Sequence, residues 1–134
     1  MPIQASGTME ITSWDEKPYL EIDDMRKLTQ ASVTQTVSGE LTGEVTSETL
    51  MCYAADGSAS FVGLRRFVGT LGQRSGSFVL QEDGTFDGVT ATVTGFVVPG
   101  SGTDDLGGLT GTFSSSSTHS DYPNMPFMFD YDLA

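Results

Sequence analysis

Glu48, Arg65 and Glu82 are the residues whose types and spacing could do chemistry in this chain. They stand in three successive alternating segments whose register is set by the turn signals Asp56-Gly57, Gln73-Arg74 and Asp87-Gly88. Asp-Gly is a strong two-residue hairpin signal, because a type I′ turn needs φ > 0 at both central residues. Closing the turns directly sets Glu48 against Arg65 and Arg65 against Glu82, and opposed residues of an antiparallel pair share one side of the sheet. An arginine between two carboxylates offsets much of the cost of burying charge. Two carboxylates sharing one guanidinium can also split in pKa, leaving one to act as an acid near neutral pH. Facing a pocket, such a row polarises a carbonyl or moves a proton. At a barrel end it is a partly exposed ion-pair ladder of little consequence. The sequence leaves both readings open.

The same register puts Leu50, Cys52, Phe61, Phe78, Leu80, Val93 and Val97 on the interior face, with Gly63, Gly69 and Gly95 among them. The opposite face mixes Ser, Thr and Arg66 with Met51, Tyr53, Val62, Leu64 and Phe96, which suggests partial covering. An odd-length loop would exchange the faces beyond it, since the side-chain period is two, and the weaker Gln73-Arg74 turn is where such a slip is expected. Aromatic side chains with a few polar groups line small-molecule sites, although each aromatic alone is more often core. The candidate ligand-binding set is Leu50, Cys52, Phe61, Phe78, Leu80, Phe127, Phe129 and Tyr131, and Trp14 and Tyr53 are further aromatics of this kind.

Other chemistries are poorly served. Cys52 is the one cysteine and is expected buried and inert, because thiol reactivity needs a thiolate-favouring setting. His119, the one histidine, sits in a serine-rich stretch before Asp121 without a Gly-x-Ser-x-Gly nucleophile elbow. One His and one Cys do not make a usual zinc site, and Asp83 to Gly88 lacks EF-hand spacing, so no metal is expected. The Gly100 to Gly108 loop lacks the Lys-Ser/Thr and following helix of a phosphate loop.

A net charge of −12 argues against nucleic acid and anionic membrane surfaces as partners. The unpaired cysteine points to a cytoplasmic setting, and neither a membrane-spanning apolar run nor a signal-peptide pattern is present. With 134 residues, the chain is expected to form one domain over 1–134.

Taken in order, Ile3 to Trp14 alternates as a first strand, Asp15 to Lys27 reads as a long connection with at most a helical turn, and Leu28 to Ser38 is a second strand. Strands follow at about 41–54, 58–71, 75–86 and 89–98, then a glycine-rich loop, a polar strand from Thr110 to Thr118, and a last alternating strand from Met125 to Leu133. Consecutive hairpins favour an all-β, eight-stranded antiparallel up-and-down barrel, which closes its own edges and holds a filled interior or one small ligand.

Four stretches carry a resemblance: Gly7-Thr8-Met9-Glu10-Ile11-Thr12-Ser13-Trp14-Asp15-Glu16, Asp56-Gly57-Ser58-Ala59-Ser60-Phe61-Val62-Gly63-Leu64, Gly76-Ser77-Phe78-Val79-Leu80-Gln81, and Val97-Val98-Pro99-Gly100-Ser101-Gly102-Thr103. Over nearly its full length the chain resembles the bacterial family known as domain of unknown function 3224. The resemblance implies an allene oxide cyclase-like barrel, a superfamily that includes cofactor-free cyclases. It brings no catalytic residues with it, and Glu82 departs from the histidine expected after the Leu-Gln pair in relatives. The resulting expectation is a cofactor-free cyclase or isomerase acting on a small, largely apolar metabolite through Glu48, Arg65 and Glu82. Its rivals are a non-catalytic carrier and a filled structural barrel. The mixed outer face suggests a homodimer or homotrimer.

Overall fold

In the computed structural model, which describes residues 3–133, eight antiparallel strands follow one another around a closed barrel. They are β1 (Ile3–Glu21), β2 (Lys27–Gly39), β3 (Leu41–Tyr53), β4 (Ala59–Leu71), β5 (Arg74–Phe86), β6 (Thr90–Val97), β7 (Leu109–Thr118) and β8 (Asn124–Leu133). Strand β8 returns to pair with β1, from Ile3 opposite Tyr131 to Glu10 opposite Asn124. Single 3₁₀ turns at Asp104–Leu106 and His119–Asp121 complete the regular structure. Met1, Pro2 and Ala134 of the expected 1–134 domain lie outside the described residues. No helix among the described residues is long and apolar enough to cross a membrane.

The expected connection at Asp15 to Lys27 is instead a continuation of the first hairpin. Strand β1 runs on to Glu21 and pairs with β2 down to Lys27. Two irregularities absorb what broke the sequence pattern: Thr12 is an extra residue between Ile11 and Ser13, and a second shift follows Pro18. Bulges are where a strand tolerates proline and where the alternation of faces slips. After Thr12, Trp14 and Glu16 therefore turn to the inner side, opposite Val33 and Ala31. The hairpin turn is held by Asp23, whose carboxylate accepts from the Met25 and Arg26 backbone N–H groups and from Arg26 Nε at 2.7 Å. These bonds hold Asp23 at a pKa of about 2.

The slip of faces expected at Gln73-Arg74 occurs instead at Asp56-Gly57. Ala54 N donates to Ser58 O and Gly57 N to Ala54 O, while Asp56 Oδ1 accepts from both Ser58 N and Ser58 Oγ. The loop is thus the three residues Ala55 to Gly57, with Gly57 at φ +87°, a turn followed by a bulge residue. The odd count pairs Cys52 with Ser60, Met51 with Phe61 and Ser47 with Arg65. The later loops keep the expected parity. Gly72-Gln73 is the tight turn and Asp87 to Thr90 a four-residue one, so Phe78, Leu80, Glu82, Val93 and Val97 remain inside.

One half of the interior is packed solid. Phe67 and Phe78 lie 5.0 Å apart between ring centroids, Phe78 stacks on Phe129 at 5.5 Å, and Phe113 on Phe127 at 5.5 Å. Glycines make room for two of these rings: a Cβ on Gly7 would meet the Phe127 ring at 2.9 Å, and one on Gly111 the Phe129 ring at 3.0 Å. The glycine-rich segment after β6 does more than connect. It lies along β5, with Thr103 Oγ1 accepting from Ser77 N and Ser101 Oγ accepting from Val79 N. It continues the wall beside β5 where β6 ends, leaving Val62, Leu64 and Phe96 of the outer face exposed, and it carries Leu106, fully buried, into the barrel end as a plug.

Leu106→Ala is expected to cost about 2–5 kcal/mol, since a buried leucine leaves both lost transfer energy and a cavity. Urea unfolding checks this, and a loss under ~0.5 kcal/mol would show that the plug is not packed.

Candidate functional site

The chemistry expected of the central charged row depends on which residues the register delivers. On β4, Arg65 lies opposite Leu80, and on β5 Glu82 lies opposite Gly63, which makes the two charged residues diagonal neighbours on the inner face. Long side chains span that diagonal. Arg65 Nε and Nη2 donate to Glu82 Oε2 and Oε1, both at 2.9 Å, in a bidentate pair with side chains 8% and 1% exposed. Gln35 of β2 reaches across the barrel, its Oε1 accepting from Arg65 Nη1 and its Nε2 lying 3.7 Å from Met125 Sδ. Met9 Sδ, 3.5 Å from Nη1, and the Phe113 ring, 6.0 Å from the guanidinium carbon, close the remaining sides. The pair is spent on its neighbours and forms a polar layer through the core.

Glu48 is not part of this layer. The odd loop turns it outward, where its carboxylate accepts from Gln30 Nε2 at 2.8 Å and Ser32 Oγ at 2.7 Å, and Ser47 takes the position opposite Arg65. The same slip exposes Leu50 and Cys52, both expected inside. Phe78, Leu80, Phe127 and Phe129 are buried in the packed half, Phe61 is half-buried over Gly84, and Tyr131 stacks on Phe129 at 5.4 Å. None of these eight residues lines the cavity at the other end of the barrel.

That cavity, about 340 Å³, is a cup at the end opposite the plug. Its walls come from all around the barrel: Ile11 and Trp14 of β1, Tyr53 of β3, Phe86 of β5, Ala91 of β6, Ser117 of β7 and Met125 of β8, with Val89 and Tyr122 from the adjoining turns. Met125 thus stands between the cup and the Gln35 end of the polar layer. Behind two of the walls sits Glu16. Its Oε1 accepts from Trp14 Nε1 at 3.0 Å, and its Oε2 from Thr29 Oγ1 at 2.7 Å and Tyr53 O–H at 2.5 Å. Partial burial pushes the Glu16 carboxyl up, but these hydrogen bonds and the nearby Lys27 charge together bring it below its ordinary value. The Tyr53 phenol is pushed far above its ordinary value by burial and by the carboxylate it donates to.

The sequence offered Trp14 and Tyr53 as aromatics for a cavity, and they line this one. Glu16 and Thr29 were missed because Pro18 and the Thr12 bulge hide the strand that brings Glu16 inward. The signal was Trp14 and Glu16 two residues apart, the spacing of one strand face. A larger hollow of about 820 Å³ lies along β2 to β7, lined by Leu50, Val62, Leu64 and Phe96 with Glu48, Glu82 and Asp83, so two of the three residues of the expected charged row border it. The cup differs in being lined by six of the eight strands around one barrel end.

Fold and cavity together define a small closed eight-stranded barrel, plugged at one end and open at an aromatic cup at the other. The chain belongs to the family described as protein of unknown function (DUF3224), whose model matches residues 5–131. The crystal structure of a protein of unknown function from this family in Shewanella oneidensis MR-1 is similar at a TM-score of 0.78 and 27% identity, over 100% of this chain and 99% of that one. No curated protein matches.

Two measurements follow. Removing one partner of the Arg65–Glu82 pair (R65M or E82L) is expected to destabilise by about 3–5 kcal/mol by orphaning a buried charge, and the double variant to recover most of it. A denaturant double-mutant cycle without such recovery refutes the pairing. For the rim, a carboxyl whose folded pKa is lowered stabilises the fold above its unfolded pKa and loses that contribution as pH falls through the folded value. A phenol whose pKa is raised contributes below its unfolded value of about 10 and loses the contribution as pH rises past it. Acid unfolding should therefore be blunted in E16Q, and a late tyrosinate component in ultraviolet titration should vanish in Y53F. An unchanged late component assigns it to another tyrosine.

Proposed function

We propose that this protein is a binding barrel that takes a small, largely apolar molecule into the cup. The observation that carries the reading is the lining itself. Among the described residues it offers Ile, Trp, Tyr, Phe, Val, Ala and Met surface with Ser117, Thr118 and Asn124 as polar points, and it holds no carboxylate, imidazole or amine. A volume of about 340 Å³ is within the usual range of small-molecule sites, and such sites combine apolar walls with few polar groups.

The cyclase or isomerase reading draws support from the barrel, which is the fold expected of allene oxide cyclase-like proteins, and a shared fold is a weak warrant for function. Its proposed acid–base row is dispersed, with Glu48 outside and Arg65 and Glu82 bound to each other beneath the cup. Retention of a ligand therefore accounts for more of the geometry than turnover does.

The test is a thermal-shift screen with apolar acids, epoxides, polyenes and amines, read alongside the fluorescence of Trp14, the single tryptophan. A ligand at 100 times its Kd stabilises by about 2.7 kcal/mol, a shift of several degrees for a chain this size. Hits recovered chemically unchanged, with Trp14 fluorescence altered, are expected. Hits returned as rearranged products would instead establish the isomerase.

A further inference from the structure

The aromatic walls and the carboxylate behind them specify more than an apolar guest. We propose that the cup selects a hydrophobic cation, a quaternary or tertiary ammonium group carried on an apolar body, an inference that rests on the binding reading above. Four aromatic side chains, Trp14, Tyr53, Phe86 and Tyr122, line the cup. Aromatic faces attract cations through the ring quadrupole, and cages of such faces are the usual receptors for alkylated ammonium groups.

Two of the four rings are biased further in this direction. The Trp14 indole N–H and the Tyr53 phenol O–H both donate to the Glu16 carboxylate. Donation to an anion pushes electron density back into each ring, because hydrogen-bonded groups polarise one another in a partly dry setting. The bonds also lock both side chains in place, so the walls are set before a guest arrives. Glu16 places a carboxylate behind the walls, its charge partly offset by Lys27. The Tyr53 ring already attracts one ammonium, Lys27 Nζ at 5.2 Å from its centroid, so the guest's cation is left to the remaining rings of the cup. No lysine or arginine lines the cup among the described residues, and the turns carrying Val89 and Tyr122 contain Asp87 and Asp121. A chain of net charge −12 draws cations to its surface and repels anionic ligands of the same shape.

The experiment compares three molecules of nearly one shape and different charge: choline, 3,3-dimethyl-1-butanol and 3,3-dimethylbutanoate. Binding is followed on the whole protein by calorimetry, with Trp14 fluorescence as a second readout in the wild type and E16Q. Choline is expected to bind about tenfold more tightly than the neutral alcohol, the size of a partly desolvated cation–π preference, with the carboxylate weakest. The cation preference should shrink in W14L and in E16Q. Trp14 is 48% exposed, so its loss leaves the core intact, and circular dichroism confirms folding of each variant. Equal binding of choline and the alcohol overturns the cation selectivity while leaving an apolar cup. Choline binding unaffected by both W14L and E16Q also overturns it, by placing the site elsewhere. If none of the three binds while a larger neutral compound from the screen does, cation selection fails and the binding barrel stands. If nothing in either set binds, both readings fall.

Discussion

A closed antiparallel barrel obeys one rule that everything else here depends on: each strand has an inside and an outside alternating every residue, and each loop must hand the chain to the next strand with a definite parity. In an open sheet a parity error moves a strand's apolar set to solvent, and in a barrel it also decides what fills the interior. The three-residue loop at Ala55 to Gly57 is where this rule has its largest effect. It turns Ser47, Thr49, Met51 and Tyr53 inward and Glu48, Leu50 and Cys52 outward. One loop residue separates a buried triad of charges from a buried pair, and it also brings the phenol of Tyr53 to the cup.

The interior that results is layered along the barrel axis. Leu106 closes one end, and the Phe67, Phe78 and Phe129 stack follows, with Gly111 leaving room for the Phe129 ring. The Arg65, Glu82 and Gln35 layer comes next, and beyond it Met125 and Ile11 floor the cup. A buried ion pair is no efficient source of stability, since desolvation consumes most of the Coulombic gain. Its geometric effect is clearer: Arg65 and Gln35 tie β4, β5 and β2 together across the barrel, and no buried side-chain N or O among the described residues lacks a partner.

The cup depends on the same wall-building at a different height. The β1–β2 hairpin extends well past the point where the barrel closes, and the bulge at Thr12 rotates Trp14 and Glu16 inward. Glu16 then gathers Trp14, Thr29 and Tyr53 from three strands with one carboxylate. This is an economical way to hold aromatic walls rigid at an open end, where packing from above is missing and side chains would otherwise lose little by moving.

Much was legible in the sequence. Alternation in Ile3 to Ile11, in β2 and in Met125 to Leu133 set those faces correctly, and the succession of turns settled the meander. Arg65 and Glu82 were legible as interior partners because their two-residue turn sits one residue earlier than expected, which shifts the register by two and preserves parity. Glu48, Leu50, Cys52 and the Glu16 cluster were not, because Asp56-Gly57 is compatible with a two-residue or a three-residue loop and Thr12 with a regular or a bulged strand. The sequence by itself determined the strands, their order and the closed barrel, because hydrophobic period and turn chemistry are local. Only the tertiary structure decided loop parity, the bulge and hence the cup, because those are chosen by which side chains fit the shared interior once all eight strands have met.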